Sequence, residues 1–404
     1  MTVSAFELEL PVLDVVGMER DEALEAASAA REQHWLARSP LGFAITRYRD
    51  AVAVLRDRRF HSALSQIPRM AGIDAGEYFA NRRPSILSME GDEHARLRRL
   101  VAPAFTPMSA DRLRPVMRAV VTELVDAVVP DGRCELVADV CEPYPIPIIC
   151  ELLGAPKEDW RRFSAWATDI FKIFNQDLER DLPAIARASD ELGAYVRTMI
   201  DERRSSPADD LLSDLIAVEE AGDRLDTDEM AMLAEAVLMA GTDTTRNQLA
   251  CSMALLAGHP DQWELLRAKP ELAPRAVEET MRYLGAVRGT VRIASEDITY
   301  RDVTFPAGTL VSVALAAANR DPDVVDDPDT FDLTRERSNT HLTFGSGIHH
   351  CLGAALARAE LAEALTVLAE RMPNLSLDGP VTWKPSSFGI WGPASLPLRF
   401  GGPG

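Results

Sequence analysis

The most specific arrangement of reactive residues in this chain is Phe344-Gly345-Ser346-Gly347-Ile348-His349-His350-Cys351-Leu352-Gly353. Its glycines permit tight turns and close approach of the backbone to a flat ligand. The alanine-rich stretch from Ala354 to Arg371 reads as a helix, so Cys351 stands just before a helix N-terminus. Free N–H groups and the helix dipole at such a place stabilise a thiolate, and N–H groups aimed at the sulfur tune a metal–thiolate bond. Two plainer readings compete. One is an inert cysteine on a Gly-rich turn. The other is a zinc site made from His349, His350 and Cys351, but adjacent residues do not easily turn onto one tetrahedral ion, and no CxxC or HxxxH accompanies them.

A second arrangement is Ala240-Gly241-Thr242-Asp243-Thr244-Thr245, small and polar residues in the middle of a long apolar helix. Gly there costs helix stability and leaves room beside the helix. An acid next to a hydroxyl can carry protons into an apolar pocket; equally, it can be a surface acid beside a Thr that bonds back to its own helix. Glu279 and Arg282, three residues apart, share a helix face and can pair, as can His94 and Arg98, four apart.

The cysteine segment resembles, at every fixed position, the haem-binding signature of the cytochrome P450 family, FGxGxHxCxG. The resemblance implies haem b as cofactor, with Cys351 as the iron ligand whose electron donation favours O–O cleavage, and with Phe344 and Gly353 in the haem-binding loop. Ala240–Thr245 is similar to the family's oxygen-binding motif. By that match Asp243 and Thr244 relay protons to dioxygen, Ala240 and Gly241 border the haem, and Gly241 widens the helix. Glu279 and Arg282 match the family's ExxR, a structural pair for which Arg335 is the candidate third member. His94 and Arg98 match HxxxR, Arg292 matches the arginine after ExxR, and these three with His349 would meet the haem propionates. Only a short tail follows the last expected strand, so electrons are expected from a separate ferredoxin-type protein. Arg96, Arg99, His350 and Arg358 are candidates for a basic patch that receives it.

In the same terms, Ala236, Met239, Ala240 and Thr244 lie near one face of the long helix and look across the haem. Ile67, Met70, Ile73, Tyr78, Phe79, Ile86 and Leu87 would line the pocket, Trp166, Ile170, Phe171 and Phe174 would roof it, and Val287, Phe388, Gly389, Ile390 and Trp391 would wall it. Ordinary core packing competes for each. A pocket so lined expects a small, uncharged hydrophobic substrate. Arg288 either anchors a polar group of that substrate or, the favoured reading, is structural.

These residues need a scaffold that joins distant parts of the chain. Apolar periodicity predicts helices at 19–38, 49–57, 93–102, 110–129, 139–153, 157–175, 181–204, 210–221 and 226–257, the last capped by Asp226, Thr227 or Asp228. Strand-like stretches fall at 41–47, 290–299, 309–313 and 395–400, and 58–92 reads as irregular. The expectation is one mainly α domain with small β sheets over residues 1–404, the cytochrome P450 fold. The 43 basic and 63 acidic residues argue against nucleic-acid and anionic-membrane partners. Five widely spaced cysteines fit a reducing cytoplasm, and no signal peptide or apolar run of membrane-spanning length is read. The expected activity is insertion of one oxygen atom from O2. A peroxide-driven enzyme and a non-catalytic haem-thiolate ligand-binding protein are the alternatives, and the Asp243–Thr244 pair argues against both.

Overall fold

The computed structural model describes residues 2–401 apart from 71, 73–83, 175–176, 221–224, 337–340 and 385–389. Its main helices are α1 Arg20–Gln33, α2 Tyr48–Arg56, α3 Gly91–Val101, α4 Pro107–Val128, α5 Pro145–Leu153, α6 Trp160–Phe171, α7 Leu178–Ser205, α8 Leu211–Glu220, α9 Thr227–Ala257, α10 Pro260–Ala268, α11 Ala273–Tyr283 and α12 Ala354–Arg371. Small sheets complete a mainly helical architecture.

The long helix α9 begins at a capping box. The Asp226 carboxylate accepts the Glu229 N–H at 2.8 Å, and the Glu229 carboxylate accepts the Asp226 N–H at 3.2 Å, so local chemistry fixes its first turn. Met230, Leu233, Leu238, Leu249, Met253 and Leu256 are all buried although they point in different directions around the helix, as in a helix that crosses a core. It packs on α5, α6, α7, α11 and α12. Helix α4, capped by the Thr106 hydroxyl, lies along α12.

The largest sheet is built from β1 Leu36–Ser39, β2 Gly42–Ile45, β3 Phe60–Ser62, β4 Thr290–Ala294 and β5 Leu310–Val313, in the order β1-β2-β5-β4-β3. Only β2 and β5 run parallel. Phe43, Phe60 and Trp35 meet Phe305 edge to face beneath it. This sheet brings Arg292 on β4 and Ser62 on β3 into register.

Three expectations shift. The helix expected over 19–38 stops at Gln33, because Leu36–Ser39 pairs antiparallel with Gly42–Ile45. The stretch 290–299 splits into Thr290–Ala294 and Ile298–Tyr300 in different sheets. The stretch 139–153 starts as a π-helical turn, Val137–Cys141, before α5.

Candidate active site

The cysteine loop takes its shape from two glycines in the left-handed region, Gly345 (φ 69°) and Gly347 (φ 72°). A Cβ on Gly347 would overlap the Leu55 carbonyl, so the loop lies directly on the end of α2. The Cys351 N–H donates to Phe344 O at 2.9 Å, and Gly353 is the N-cap of α12. Burial pushes the Cys351 thiol up, while the Gly353 N–H and the charges of Arg98 and Arg358 pull it down. The other four cysteines are buried or half-buried, and none is disulfide-bonded.

Two of the guanidiniums near this loop are not solvent-exposed and still have no carboxylate within ion-pair range among the described residues. Arg98 on α3 donates to His350 O. Arg292 is buried and bonded to neutral groups, the Thr290 hydroxyl at 2.9 Å and Val291 O at 3.2 Å. Burial lowers it to about 10. A buried cation without an anion is costly. One thiol with two uncompensated cations is a donor set that fits an iron porphyrin with two carboxylates. Among the described residues no group of three or more His, Cys, Asp or Glu is placed to hold a metal ion, so the zinc arrangement is not assembled.

His94 and His349, expected at the propionates, lie side by side. Their rings lie 4.8 Å apart, and His349 Nε2 is 2.9 Å from Glu90 Oε1, which also accepts the Ser62 N–H at 2.6 Å. Burial opposes ionisation of Glu90, but these bonds outweigh it and hold its pKa down. Burial, together with His349 and Arg98, lowers His94.

Behind the loop, α11 carries two acids in succession. Glu279 and Arg282, almost fully buried, form a bidentate pair with both contacts at 2.8 Å. Arg335 Nε joins Glu279 at 3.2 Å. Arg282 also donates to Pro328 O and Thr330 O, which ties α11 to the segment before the loop. Glu278 takes Arg358 of α12 at 2.6 and 3.1 Å. The expected basic patch is therefore smaller: Arg358 is neutralised by Glu278, and Arg96 pairs with Glu229. Arg99 and His350 are both exposed.

On α9, Ala240 is exposed at mid-helix, and the Thr244 hydroxyl donates back to Ala240 O at 2.8 Å. Asp243 is buried and pairs with Arg246, although the facing oxygen makes no well-formed hydrogen bond. Arg246 reaches Glu142 at 3.7 Å with its other arm. A cleft of about 290 Å³ lined by Glu142, Arg246, Asn247 and Lys384 lies on this side. Gly241 does not widen the helix toward the site: a Cβ there would overlap the Ile149 side chain, so its missing side chain lets α5 approach.

A family model described as cytochrome P450 matches residues 157–372, more than half of the chain. The chain belongs to the cytochrome P450 family. Luteothin monooxygenase from Streptomyces thioluteus is 36% identical over 97% of each chain. Mycinamicin IV hydroxylase/epoxidase from Micromonospora griseorubida is 40% identical over 91% of this chain and 89% of that one. The structure of P450BioI in complex with hexadec-9Z-enoic acid ligated acyl carrier protein matches with a TM-score of 0.86 and 32% identity, covering 94% of this chain and 99% of that one. This P450 is a monooxygenase, and its cofactor is haem b. Among the described residues no helix is long and apolar enough to cross a membrane.

Several pocket expectations for this P450 change. Val287 and Ile390 form an antiparallel bridge, so they share one face and Arg288 and Trp391 take the other. There the Arg288 guanidinium lies 4.9 Å from the Trp391 ring, which is buried and stacked on Trp383 at 4.5 Å. Arg288 thus takes the structural place favoured for it, and Trp391, expected in the wall, is packed between Arg288 and Trp383. Trp166 turns to α7, where its N–H meets Glu191 at 2.8 Å. Ile67 packs against Leu178, Leu182 and Ile185. Ile86, Ile170 and Met239 pack on the main core, Ala236 is half-buried and Leu87 is exposed. Ile73, Tyr78, Phe79, Phe388 and Gly389, and the side chains of Met70 and Phe174, lie outside the described residues.

Sequence reasoning missed Glu360. It is fully buried on α12, burial raises its pKa to about 8 against a hydrogen bond from Thr245, and its Oε1 has no partner. The signal was an acid inside the apolar stripe Leu356, Ala364, Leu368. Arg246 was legible as the i, i+3 partner of Asp243.

Proposed function

We propose that Cys351 is the axial thiolate of the haem, that Arg98 and Arg292 neutralise its propionates with His94 beside them, and that Asp243 and Thr244 move protons to the oxygen site. The observation that carries this is the pair of guanidiniums, neither of them solvent-exposed, that stand without a carboxylate partner beside the Cys351 loop. The bound haem supplies the dioxygen chemistry. The chain's own part is placement. Phe344, Gly345, Gly347 and Gly353 shape the loop, and the buried Glu279–Arg282–Arg335 cluster holds the segment leading into it. Asp243 takes protons from the cleft side when Arg246 swings to Glu142, and Thr244 passes them on by releasing Ala240 O. Glu90 orients His349.

The same reading makes the whole chain one P450 unit in the cytoplasm. Arg99 and His350 remain to receive a ferredoxin-type electron donor, and the substrate is a small apolar molecule taken beside Ala236, Val287 and Ile390. The relatives named for luteothin and mycinamicin IV make those compounds the first to screen, read as a Soret shift on displacement of bound water. Ligation is tested on the reduced protein with carbon monoxide. A band at about 450 nm is expected from thiolate ligation, lost in Cys351→Ser; a band unchanged by that substitution would remove Cys351 from the iron.

A further inference from the structure

Arg358 does more than pair with Glu278. Its guanidinium carbon lies 4.4 Å from the centroid of the Phe344 ring, and Phe344 O accepts the Cys351 N–H. The cation therefore rests on the residue that closes the cysteine loop, in a cation–π contact. Glu278 grips it through both carboxylate oxygens. His341 Nε2 stands 3.3 Å from the same carboxylate, and the Thr343 N–H donates to His341 Nδ1 at 3.2 Å, which puts the proton of a neutral ring on Nε2, facing the acid. His341 in turn lies 5.7 Å from Phe344. Although burial opposes it, the bonds from His341 and Arg358 hold Glu278 down to about 2, so the acid stays ionised at any working pH.

We infer that Glu278 and Arg358 are positioning residues whose opposed charges set the reduction potential of the iron bound to Cys351. The inference rests on Cys351 being the iron ligand. An added electron is favoured by a nearby positive charge and opposed by a negative one. Arg358 acts through the loop, stacked on the ring of Phe344, whose carbonyl accepts the Cys351 N–H, and a positive charge placed there weakens electron donation from the sulfur to the iron. Glu278 cancels part of that field. The two therefore pull the potential in opposite directions, which a purely structural clamp does not do. Arg358 is 38% exposed on its side chain, so water screens it and the shifts are modest.

The test is a redox titration of the purified holoenzyme with four sequences: the natural one, Glu278→Gln, Arg358→Met and Arg358→Lys. Glu278→Gln should raise the midpoint and Arg358→Met should lower it. Each should change the reduced-to-oxidised ratio at a fixed poise severalfold, where tenfold corresponds to about 59 mV for one electron. Arg358→Lys keeps the charge but not the fork or the flat stack, so its midpoint stays near the natural one while its Tm falls. Shifts of the same sign in Glu278→Gln and Arg358→Met, or no shift in either, overturn the inference. If Glu278→Gln does not fold, equal midpoints for Arg358→Met and Arg358→Lys overturn it. The reduced carbon monoxide band of the natural protein keeps the two failures apart: its absence near 450 nm defeats the thiolate itself, whereas its presence with an unmoved midpoint defeats only the tuning role.

Discussion

The two sides of the site are built by opposite means. Between α11, α12 and the segment before the cysteine loop, charge is matched: Glu279 meets Arg282 and Arg335, and Glu278 meets Arg358 through both oxygens. On the α9 side, charge is left loose. Asp243 faces Arg246 without a good hydrogen bond, and Glu360 keeps one carboxylate oxygen unbonded. A buried network with every group satisfied is rigid, and one partly satisfied is ready to change state. A ligand must hold still, whereas a proton carrier must not.

The largest effect should come from breaking the matched side. Arg282→Met leaves Glu279 buried with Arg335 alone, and removing one partner of a buried pair costs about 3–5 kcal/mol. The expected outcome is a large fall in Tm and little haem retained, checked by calorimetry and the haem-to-protein absorbance ratio. On the loose side folding should survive. Asp243→Asn should keep Tm and the carbon monoxide band yet lower kcat about 10²-fold, the usual size of a lost proton donor, with a larger solvent isotope effect. If peroxide supported undiminished turnover in Asp243→Asn, the proton role would be supported further; unchanged turnover on dioxygen would end it.

Glu360 offers a third test, through pH. The folded chain keeps its proton up to about 8, while the ordinary value is 4.5. The folded state therefore binds more protons in between, so the stabilisation is full below about 4.5 and is lost as pH rises through about 8. Glu360→Gln cannot titrate, and its Tm should be flatter over that range, with its gain over the natural protein largest at the alkaline end. Parallel Tm profiles for the two proteins would mean that Glu360 is charged throughout. The smallest effect belongs outside the comparison. Arg288→Ala should lose about 0.5–2 kcal/mol of cation–π stacking and leave substrate affinity unchanged in a Soret titration.

The parts legible in the sequence were those with local causes. Asp226 and Glu229 announce the start of α9 within four residues, and the glycines and cysteine of the loop lie within ten. Glu279, Arg282 and Arg335 came together where spacing and resemblance put them. What stayed hidden was set by partners far along the chain. Nothing near His349 shows that Glu90, 259 residues away, would claim its Nε2. Helix α1 stops at Gln33 because of a strand partner, since the residues beyond it are compatible with either state. Arg288 keeps the structural place favoured for it, but the packing of Trp391 was hidden, because a single bridge between Val287 and Ile390 decides which side chains face which way and neither segment has a periodic pattern long enough to declare it.

Gly241 carries a consequence for redesign. With no atom between the α9 backbone and Ile149, the two helices mesh without slack, so the rotation of α9 about its own axis is inherited from where α5 sits. Enlarging Ile149, or shifting α5 by one residue, would turn Asp243 and Thr244 away from the direction the proposed proton role needs, without altering either of them. Substitutions meant to leave α9 undisturbed should spare residues 145–153.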